Sequence, residues 1–290
     1  MTDRGADPES DALRQRLLAA VLELLERHHG IGSRAERAPR WLMARLETAF
    51  DRLLDAVRPH PDAALRAEDV SRAIVELGRD PERLAELADL VRIGETCFFR
   101  DAPQWLALRD RVVPRLMQRE RVRALSVGCS TGEETWTLAM LLAEAARSGQ
   151  SHGVVGMDRS EAALSTAREG IYPEQSARSV PAELAARYLE RHENALAEPL
   201  VRVSDELRSQ VRFVPRNATS GLPPGSYEII ICKNLLIYFS EHAGARLAAE
   251  LVKSLSEGGV LLVARSEVAR LRALGYRAET TAPGVSLFTG

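Results

Sequence analysis

Apolar residues recur at helical spacing through the first third of the chain. In segments 12–27 and 39–57 they return at every third or fourth position, as on one face of an amphipathic helix. Two further stretches, near 68–77 and 81–92, show the same spacing. The sequence contains no strand pattern before residue 120, so we predict a small all-α domain at residues 10–92.

Beyond residue 120 the pattern changes to short apolar runs separated by helical segments. The predicted strands are 124–128, 154–158, 211–215, 227–232 and 260–264, with predicted helices over 133–147 and 160–170. Strands that alternate with helices form a parallel sheet covered on both faces. The pattern therefore predicts an α/β domain over residues 123–290. A linker and connecting helix at 93–122 would join it to the helical domain.

The end of the chain departs from this alternation. Residues 276–290 have the pattern of two strands joined at Pro283-Gly284, which predicts an antiparallel hairpin. Added to the parallel strands, the hairpin gives a mostly parallel seven-stranded sheet of the Rossmann-like kind.

Composition and charge exclude several classes of protein. Hydrophobic residues make up 45% and charged residues 28%, which is ordinary for a globular protein. No apolar run approaches the ~20 residues that span a bilayer, and the polar start MTDRGADPES is unlike a signal peptide. A net charge of −2 argues against a nucleic-acid binder that relies on a strong positive field. We expect a cytoplasmic protein with no membrane insertion.

The cysteines and histidines do not indicate a metal site. Cys97, Cys129 and Cys232 are widely spaced with no CxxC pair, and the histidines show no ligand spacing. An odd number of cysteines also argues against a disulfide framework. Cys129 and Cys232 are expected to be small packing residues.

A glycine loop, Gly128 to Gly132, follows the first predicted strand and precedes a helix. That arrangement is typical of nucleotide-binding sites in doubly wound folds. The GxGxxG and GxxxxGK[ST] motifs are both absent, whereas GxSxG does match the nucleophile elbow of serine hydrolases. A hydrolase would need a late histidine, and none follows His242. The remaining interpretation is an S-adenosylmethionine site.

Such a site requires an acid at the end of the second strand to accept hydrogen bonds from the ribose hydroxyls. Asp158 stands there, and charge-assisted bonds of this kind contribute roughly 1.5–3 kcal/mol each. The alternative is that Asp158 is an ordinary helix N-cap, with Ser160 as a competing cap.

Six motifs occur in one order along the chain. They are GETCFFRD (94–101), GCSTGEETWTLAM (128–140), GMDRSEAALSTAREGIY (156–172), RFVPRNA (212–218), ICKNLLIYF (231–239) and GGVLLVARSE (258–267). Together they closely resemble the CheR-type chemoreceptor glutamate methyltransferases, over roughly residues 12–290. The resemblance implies a class I methyltransferase fold with a small β-subdomain inserted around 186–206. It also implies that S-adenosylmethionine is converted to S-adenosylhomocysteine while glutamate side chains of a receptor become methyl esters.

The resemblance also implies roles for individual residues. Arg100 and Tyr238 would border the reacting centre. Cofactor contacts would come from Thr96, Arg100, Gly128, Glu133, Glu134, Asp158, Asn217, Ala218, Lys233, Asn234 and Leu235. Within that set Asp158 would hold the ribose, and Asn217 and Ala218 would flank the adenine. Either Glu133 or Glu134 would hold the methionyl or ribose end.

Three positions depart from the family pattern. Gly94 replaces a usual asparagine, Lys233 a usual arginine and Ala218 a usual leucine. Gly94 removes a side-chain hydrogen bond, and Lys233 replaces a planar fork by a point charge. Each could weaken cofactor affinity without abolishing it.

Simpler interpretations stay open for several of these residues. Phe98 and Phe99 could be core residues, and Tyr238 with Phe239 could be an aromatic patch that seals the sheet. The arginines between 34 and 58 could be a solvated face rather than a basic surface for an acidic receptor bundle.

The expected partner is the cytoplasmic helical domain of a chemoreceptor-type protein. Some family members grip a receptor's C-terminal pentapeptide with a glycine-bearing loop. The matching stretch here, RHENALAEP (191–199), lacks glycine, so docking independent of that peptide is expected. Two alternatives remain, namely a methyltransferase acting on another protein or a small molecule, and a cofactor-binding signalling module without turnover.

Overall fold

The computed structural model describes residues 8–31, 66–90, 96–193, 198–282 and 285–289. The chain divides into two compact units. One comprises Met1–Ile93 and Tyr238–Gly244, and the other comprises Gly94–Ile237 and Ala245–Gly290. The predicted helix over 39–57 and the row of arginines lie outside the described residues.

Three helices of the first unit are described: α1 (Pro8–His29), α2 (Ala67–Arg79) and α3 (Pro81–Leu90). They match the predicted helices, with ends that differ by a few residues. Their apolar faces bury a common cluster that includes Leu17, Leu25, Val70, Leu77 and Leu84. Burial of such side chains contributes roughly 1.5–3 kcal/mol each, which is how short helices become stable.

The segment Tyr238–Gly244 joins this helical unit through backbone pairing. Ile31 forms an antiparallel bridge with Phe239, and the Ser240 N–H donates to the Gly30 carbonyl oxygen at 2.9 Å. The turn after α1 is therefore tied to residues that follow the fourth predicted strand.

The remaining elements alternate as the sequence predicts. The helices are α4 (Ala102–Ala107), α5 (Val113–Leu116), α6 (Glu133–Ala145), α7 (Glu161–Glu169), α8 (Ala182–Tyr188), α9 (Asp205–Arg208), α10 (Glu241–Lys253) and α11 (Val268–Ala273). The strands are β1 (Arg121–Val127), β2 (Ser151–Asp158), β3 (Ile171–Pro173), β4 (Leu189–Glu193), β5 (Pro199–Val203), β6 (Val211–Pro215), β7 (Tyr227–Cys232), β8 (Leu255–Val263), β9 (Ala278–Ala282) and β10 (Val285–Thr289).

Seven strands form one sheet in the order β6-β2-β1-β7-β8-β10-β9. The first five of these run parallel, and β10 pairs antiparallel with both β8 and β9. The predicted Rossmann-like sheet with its final hairpin is thus confirmed. Because the parallel strands all end at one edge, the loops that follow β1, β2, β7 and β8 lie side by side there.

A second, three-stranded antiparallel sheet has the order β3-β5-β4. Strands β4 and β5 lie within the predicted subdomain around 186–206. Strand β3, only three residues long, comes from an earlier part of the chain. The sequence pattern did not reveal it, because three residues carry too little periodicity to be recognised.

No helix in the described ranges is both long and apolar enough to cross a bilayer.

Candidate functional site

The glycine loop between β1 and α6 lies at the carboxyl edge of the sheet. The N–H groups of Gly128 and Cys129 both donate to the Met157 carbonyl oxygen, at 2.8 and 3.0 Å. Gly128 has φ +74°, and a Cβ at this position would stand 2.9 Å from a methyl carbon of Leu235. A side chain at Gly128 would strain the backbone and require Leu235 to shift, so these two predicted cofactor residues pack against each other.

Asp158 ends β2 beside this loop and is buried. One carboxylate oxygen accepts the Ser130 N–H and the other accepts the Ser160 N–H, both at 2.9 Å. The helix that follows is capped by Ser160, whose hydroxyl accepts the Ala163 N–H at 3.3 Å. The competing interpretation of Asp158 as the N-cap is thus wrong. Its carboxylate connects the glycine loop to the residue that caps the helix.

The adjacent carboxylates Glu133 and Glu134 have different surroundings. Glu133 accepts the Thr131 hydroxyl at 2.7 Å, inside the loop itself, and burial raises its pKa. Glu134 accepts the Ser126 hydroxyl at 2.9 Å, from the end of β1. Burial raises the pKa of Glu134 to about 7, and the nearby positive charge of Lys233 opposes the rise. The two side chains are therefore not interchangeable.

The linker residues 96–101 pack against α6. Phe98 and Phe99 are buried, so the expectation that they serve the core is confirmed. The Phe99 N–H donates to the Thr137 hydroxyl at 3.1 Å, and that hydroxyl donates to the Glu133 carbonyl oxygen at 2.7 Å. These hydrogen bonds fix the backbone of the linker at Phe99. Thr96 and Arg100, on either side of it, are half-buried.

Lys233 follows β7 and is buried. Its ammonium donates to the Arg100 carbonyl oxygen at 2.8 Å and lies 3.3 Å from an Asp101 carboxylate oxygen. It also stands 5.3 Å from the centre of the Trp105 ring, within the range of a cation–π interaction. A predicted cofactor residue is thus engaged with the predicted catalytic segment.

The loop after β7 carries Asn234 and Leu235. The Asn234 N–H donates at 3.0 Å to the buried carboxylate of Glu267, and Leu236 N–H donates to the same group at 2.7 Å. Glu267 stands in the quoted motif GGVLLVARSE, but the sequence assigned it no role. The signal in the sequence is an acidic residue a few positions after the apolar run 260–264.

Asn217 and Ala218 follow β6, the edge strand of the sheet that pairs with β2. The Asn217 side-chain oxygen accepts the Thr219 N–H at 3.1 Å and the Thr219 hydroxyl at 2.9 Å. Asn217 therefore caps the short 3-10 helix Ala218–Ser220. Both residues are half-buried.

Tyr238 ends the 3-10 helix Leu236–Tyr238. Its side chain is buried, with 7% exposed, and it is the first residue of the segment that joins the helical unit.

In the described part of the chain, four residues other than glycine have left-handed backbones. They are Phe99, Asp101, Ser130 and Asn234, with φ values of 53°, 61°, 51° and 55°. All four lie in the linker or in the loops at the carboxyl edge of the sheet. Such conformations cost of order 1–3 kcal/mol each and persist where surrounding structure holds them. Their concentration here marks this edge as the functional region.

Each of the four is bonded by a buried polar side chain, three of them at the backbone N–H and Asp101 at its carboxylate. Thr137 bonds Phe99, Asp158 bonds Ser130 and Glu267 bonds Asn234. Lys233 pairs with Asp101. Thr137 and Glu267 are functional candidates that sequence reasoning missed, since only the fold brings them to these backbones.

These groups fit S-adenosylmethionine. The ligand offers ribose hydroxyls to an acceptor such as Asp158 and a methionyl ammonium to a carboxylate such as Glu134. The missing side chain of Gly128 leaves room for Leu235, another predicted cofactor contact, to pack against the glycine loop.

Comparison with known proteins agrees with this interpretation. Residues 94–279 match the family model described as "CheR methyltransferase, SAM binding domain". The chain is 32% identical to a chemotaxis protein methyltransferase of Borreliella burgdorferi, over 65% of this chain and 69% of that relative. It is 29% identical to a chemotaxis protein methyltransferase of Listeria monocytogenes, over 66% of this chain and 71% of that relative.

A third relative has a different name. The "probable biofilm formation methyltransferase WspC" of Pseudomonas putida is 32% identical over 76% of this chain, and the chain spans 54% of that longer relative. The prediction of an S-adenosylmethionine-dependent methyltransferase is confirmed, and the chain belongs to the CheR methyltransferase family.

Proposed function

We propose that this methyltransferase acts on glutamate side-chain carboxylates of chemoreceptor-type signalling proteins in the cytoplasm and produces glutamate methyl esters. The observation that carries the proposal is the match of residues 94–279 to the CheR methyltransferase model. The printed names of the Borreliella and Listeria relatives, both chemotaxis protein methyltransferases, support it further.

The chemistry of the acceptor suits a site without a general base. A glutamate side chain has a reference pKa of about 4.3, so it is almost wholly ionised near neutral pH and is already nucleophilic. When bound, S-adenosylmethionine supplies the electrophilic methyl carbon. The protein then has to align the acceptor, and alignment can contribute up to ~7–11 kcal/mol in favourable cases.

We assign alignment to Arg100 and Tyr238. Arg100 would pair with the acceptor carboxylate, and its backbone is held by the Lys233 ammonium and by the Trp105 indole N–H, which donates to its carbonyl oxygen at 2.9 Å. Tyr238 would orient the acceptor through its hydroxyl. Arg100 must hold the carboxylate only moderately, because the acceptor loses its charge in the transition state.

The cofactor would be held by groups from four loops. Asp158 would accept the ribose hydroxyls, and Glu134 would bind the methionyl ammonium. Each of the two carboxylates accepts one hydroxyl hydrogen bond. We favour Glu134 over Glu133 because Glu133 is buried, whereas Glu134 is only half-buried and so remains accessible to a ligand. Thr96, Asn234 and Leu235 would line the methionyl side, and Asn217 with Ala218 would flank the adenine.

The receptor would dock without a tethered pentapeptide. The stretch that would grip such a peptide, residues 191–199, has no glycine; its residues 194–197 lie outside the described part of the chain. We propose instead that the helical domain at 10–92 contributes the docking surface. The linker at 93–122 would deliver Thr96 and Arg100 to the domain at 123–290. Micromolar binding of a receptor C-terminal pentapeptide would contradict this docking mode.

A second candidate substrate class follows from the WspC relative. That protein is named for biofilm formation and aligns with 76% of this chain. The acceptor would then be a glutamate of a signalling protein involved in biofilm formation. The chemistry at the site would be the same.

The decisive experiment uses cofactor labelled in the methyl group and the membrane fraction of the source cell. Label that is transferred to a receptor-sized protein and released by mild base would support the proposal, because methyl esters hydrolyse under those conditions. Base-stable label would indicate another acceptor. Cofactor binding without any transfer would indicate a signalling module. The Arg100→Ala and Tyr238→Phe variants serve as controls, and parent-level turnover in both would contradict their assigned roles.

A further inference from the structure

Glu267 is a buried carboxylate surrounded by backbone N–H groups. Only 1% of the residue is exposed. One of its oxygens accepts the N–H groups of Asn234 and Ala264, each at 3.0 Å, and the other accepts that of Leu236 at 2.7 Å. Three donors from the segments that follow two adjacent strands therefore converge on one side chain.

These donors belong to the loop that carries the methionyl side of the site. Asn234 has a left-handed backbone, with φ 55°, and Leu235 lies against Gly128 of the glycine loop. The loop also leads into the 3-10 helix that ends at Tyr238. The conformation of the whole segment thus depends on where its N–H groups find acceptors.

The surroundings of Glu267 require an acceptor without donors. A carboxylate offers two oxygens, and here each accepts at least one backbone N–H. An amide of the same size keeps only one oxygen. Whichever way the new amide turned, its NH2 group would face at least one N–H and leave it without a buried partner. Packing alone would tolerate glutamine at this position, whereas the hydrogen bonding would not.

We propose that Glu267 is a positioning residue, which holds the loop Asn234–Ile237 in the conformation that binds the cofactor. The expected effect of this loop on methyl transfer rests on the proposed function. Glu267 would act on the cofactor only through the loop, because its carboxylate is buried and bonds backbone N–H groups.

The test compares Glu267→Gln with a matched core variant, Leu262→Ala. Leu262 is fully buried in β8, the strand that leads to Glu267, and its truncation destabilises the sheet without removing a loop hydrogen bond. Cofactor affinity is measured by calorimetry at a temperature where thermal melts show both variants fully folded. Glu267→Gln should weaken binding at least tenfold, Leu262→Ala should leave affinity near that of the parent, and Glu267→Asp should restore part of it.

Amide hydrogen exchange in the free protein supplies a readout that does not depend on activity. The N–H groups of Asn234 and Leu236 should exchange faster in Glu267→Gln, while that of Ser130, held by Asp158, should be unchanged. Unchanged exchange at Asn234 and Leu236 would overturn the inference, as would equal loss of affinity in the two variants. A parent protein that transferred no methyl group would overturn the proposed function, and the exchange result would still decide the role of Glu267.

Discussion

The side-chain ammonium of Lys233 lies 2.8 Å from the backbone carbonyl oxygen of Arg100. These residues are far apart in sequence, yet the bond connects the end of β7 to the linker that carries the proposed acceptor-binding arginine. A positive charge suits this buried position, since the ammonium also pairs with Asp101 and faces the Trp105 ring.

Replacing Lys233 by methionine should lower methyl transfer by roughly 10–100-fold, because a hydrogen bond to a charged group contributes about 1.5–3 kcal/mol. The loss should appear mainly in kcat, since Arg100 would no longer be held in place. Lys233→Arg should turn over near the parent rate, as a guanidinium can bond both Arg100 and Asp101. Steady-state kinetics on a receptor fragment would check both variants, and parent-level kcat in Lys233→Met would contradict the role.

Cofactor affinity should depend on pH through Glu134. Burial raises its pKa to about 7, so this carboxyl is largely neutral below that pH and cannot pair with the methionyl ammonium. Affinity should therefore fall as the pH decreases from about 8 to about 6. Glu134→Gln should bind more weakly and lose this dependence. Calorimetric titrations across this range provide the test, with Glu144→Gln, at the far end of the same helix, as the control.

Glu134 should also make the free energy of unfolding depend on pH, in a direction that its raised pKa determines. Its pKa is higher in the folded protein than in the unfolded chain, so the folded state binds the extra proton between about pH 4.5 and 7. The free energy of unfolding should decrease as the pH rises through that window. In Glu134→Gln this part of the pH dependence should disappear. Urea unfolding at the two ends of the window would measure it, and identical profiles would contradict the assignment.

Asp158→Asn should weaken cofactor binding by tenfold or more. The change keeps the size of the side chain but removes one acceptor from a group that already holds the Ser130 N–H and would hold the ribose. Ser160→Ala is the matched control, because it removes the cap of α7 at a cost of ~1 kcal/mol in stability without touching the ribose position. Equal affinity in Asp158→Asn and the parent would rule out the ribose role.

Gly128→Ala should reduce both stability and cofactor affinity. The left-handed backbone at φ +74° penalises any L side chain by roughly 1–2 kcal/mol, and the new Cβ would stand 2.9 Å from Leu235. Gly149→Ala isolates the first effect, since Gly149 has φ +77° with nothing within 4 Å. Adding Leu235→Ala to Gly128→Ala should relieve the contact and recover part of the stability, whereas the affinity should stay low because Leu235 is itself a proposed cofactor contact. Thermal melts and calorimetry would separate the two contributions.

The sequence alone determined the class of fold and the cofactor. Apolar runs such as 124–128 and 227–232 are recognisable because buried parallel strands need continuous hydrophobic residues. The glycines of the loop after β1 and the acid at Asp158 are local features of the sequence. The order of six motifs along the chain indicated the family. Helix and strand ends differed from prediction by a few residues, as at β8, which starts at Leu255 rather than 260, because hydrogen bonding between strands sets such ends.

Only the tertiary structure decided which distant groups meet. The distinction between Glu133 and Glu134 depends on which one faces Ser126 across the sheet edge, and adjacent residues in a sequence do not reveal this. Three contacts join separate elements of the chain: those of Lys233 with Arg100, Thr137 with Phe99, and Glu267 with Asn234. Sequence periodicity describes the face that an element buries, whereas the partner of a buried polar group depends on how strands are ordered in the sheet. That order brings four loops to one edge, where buried side chains hold the strained backbones of the site.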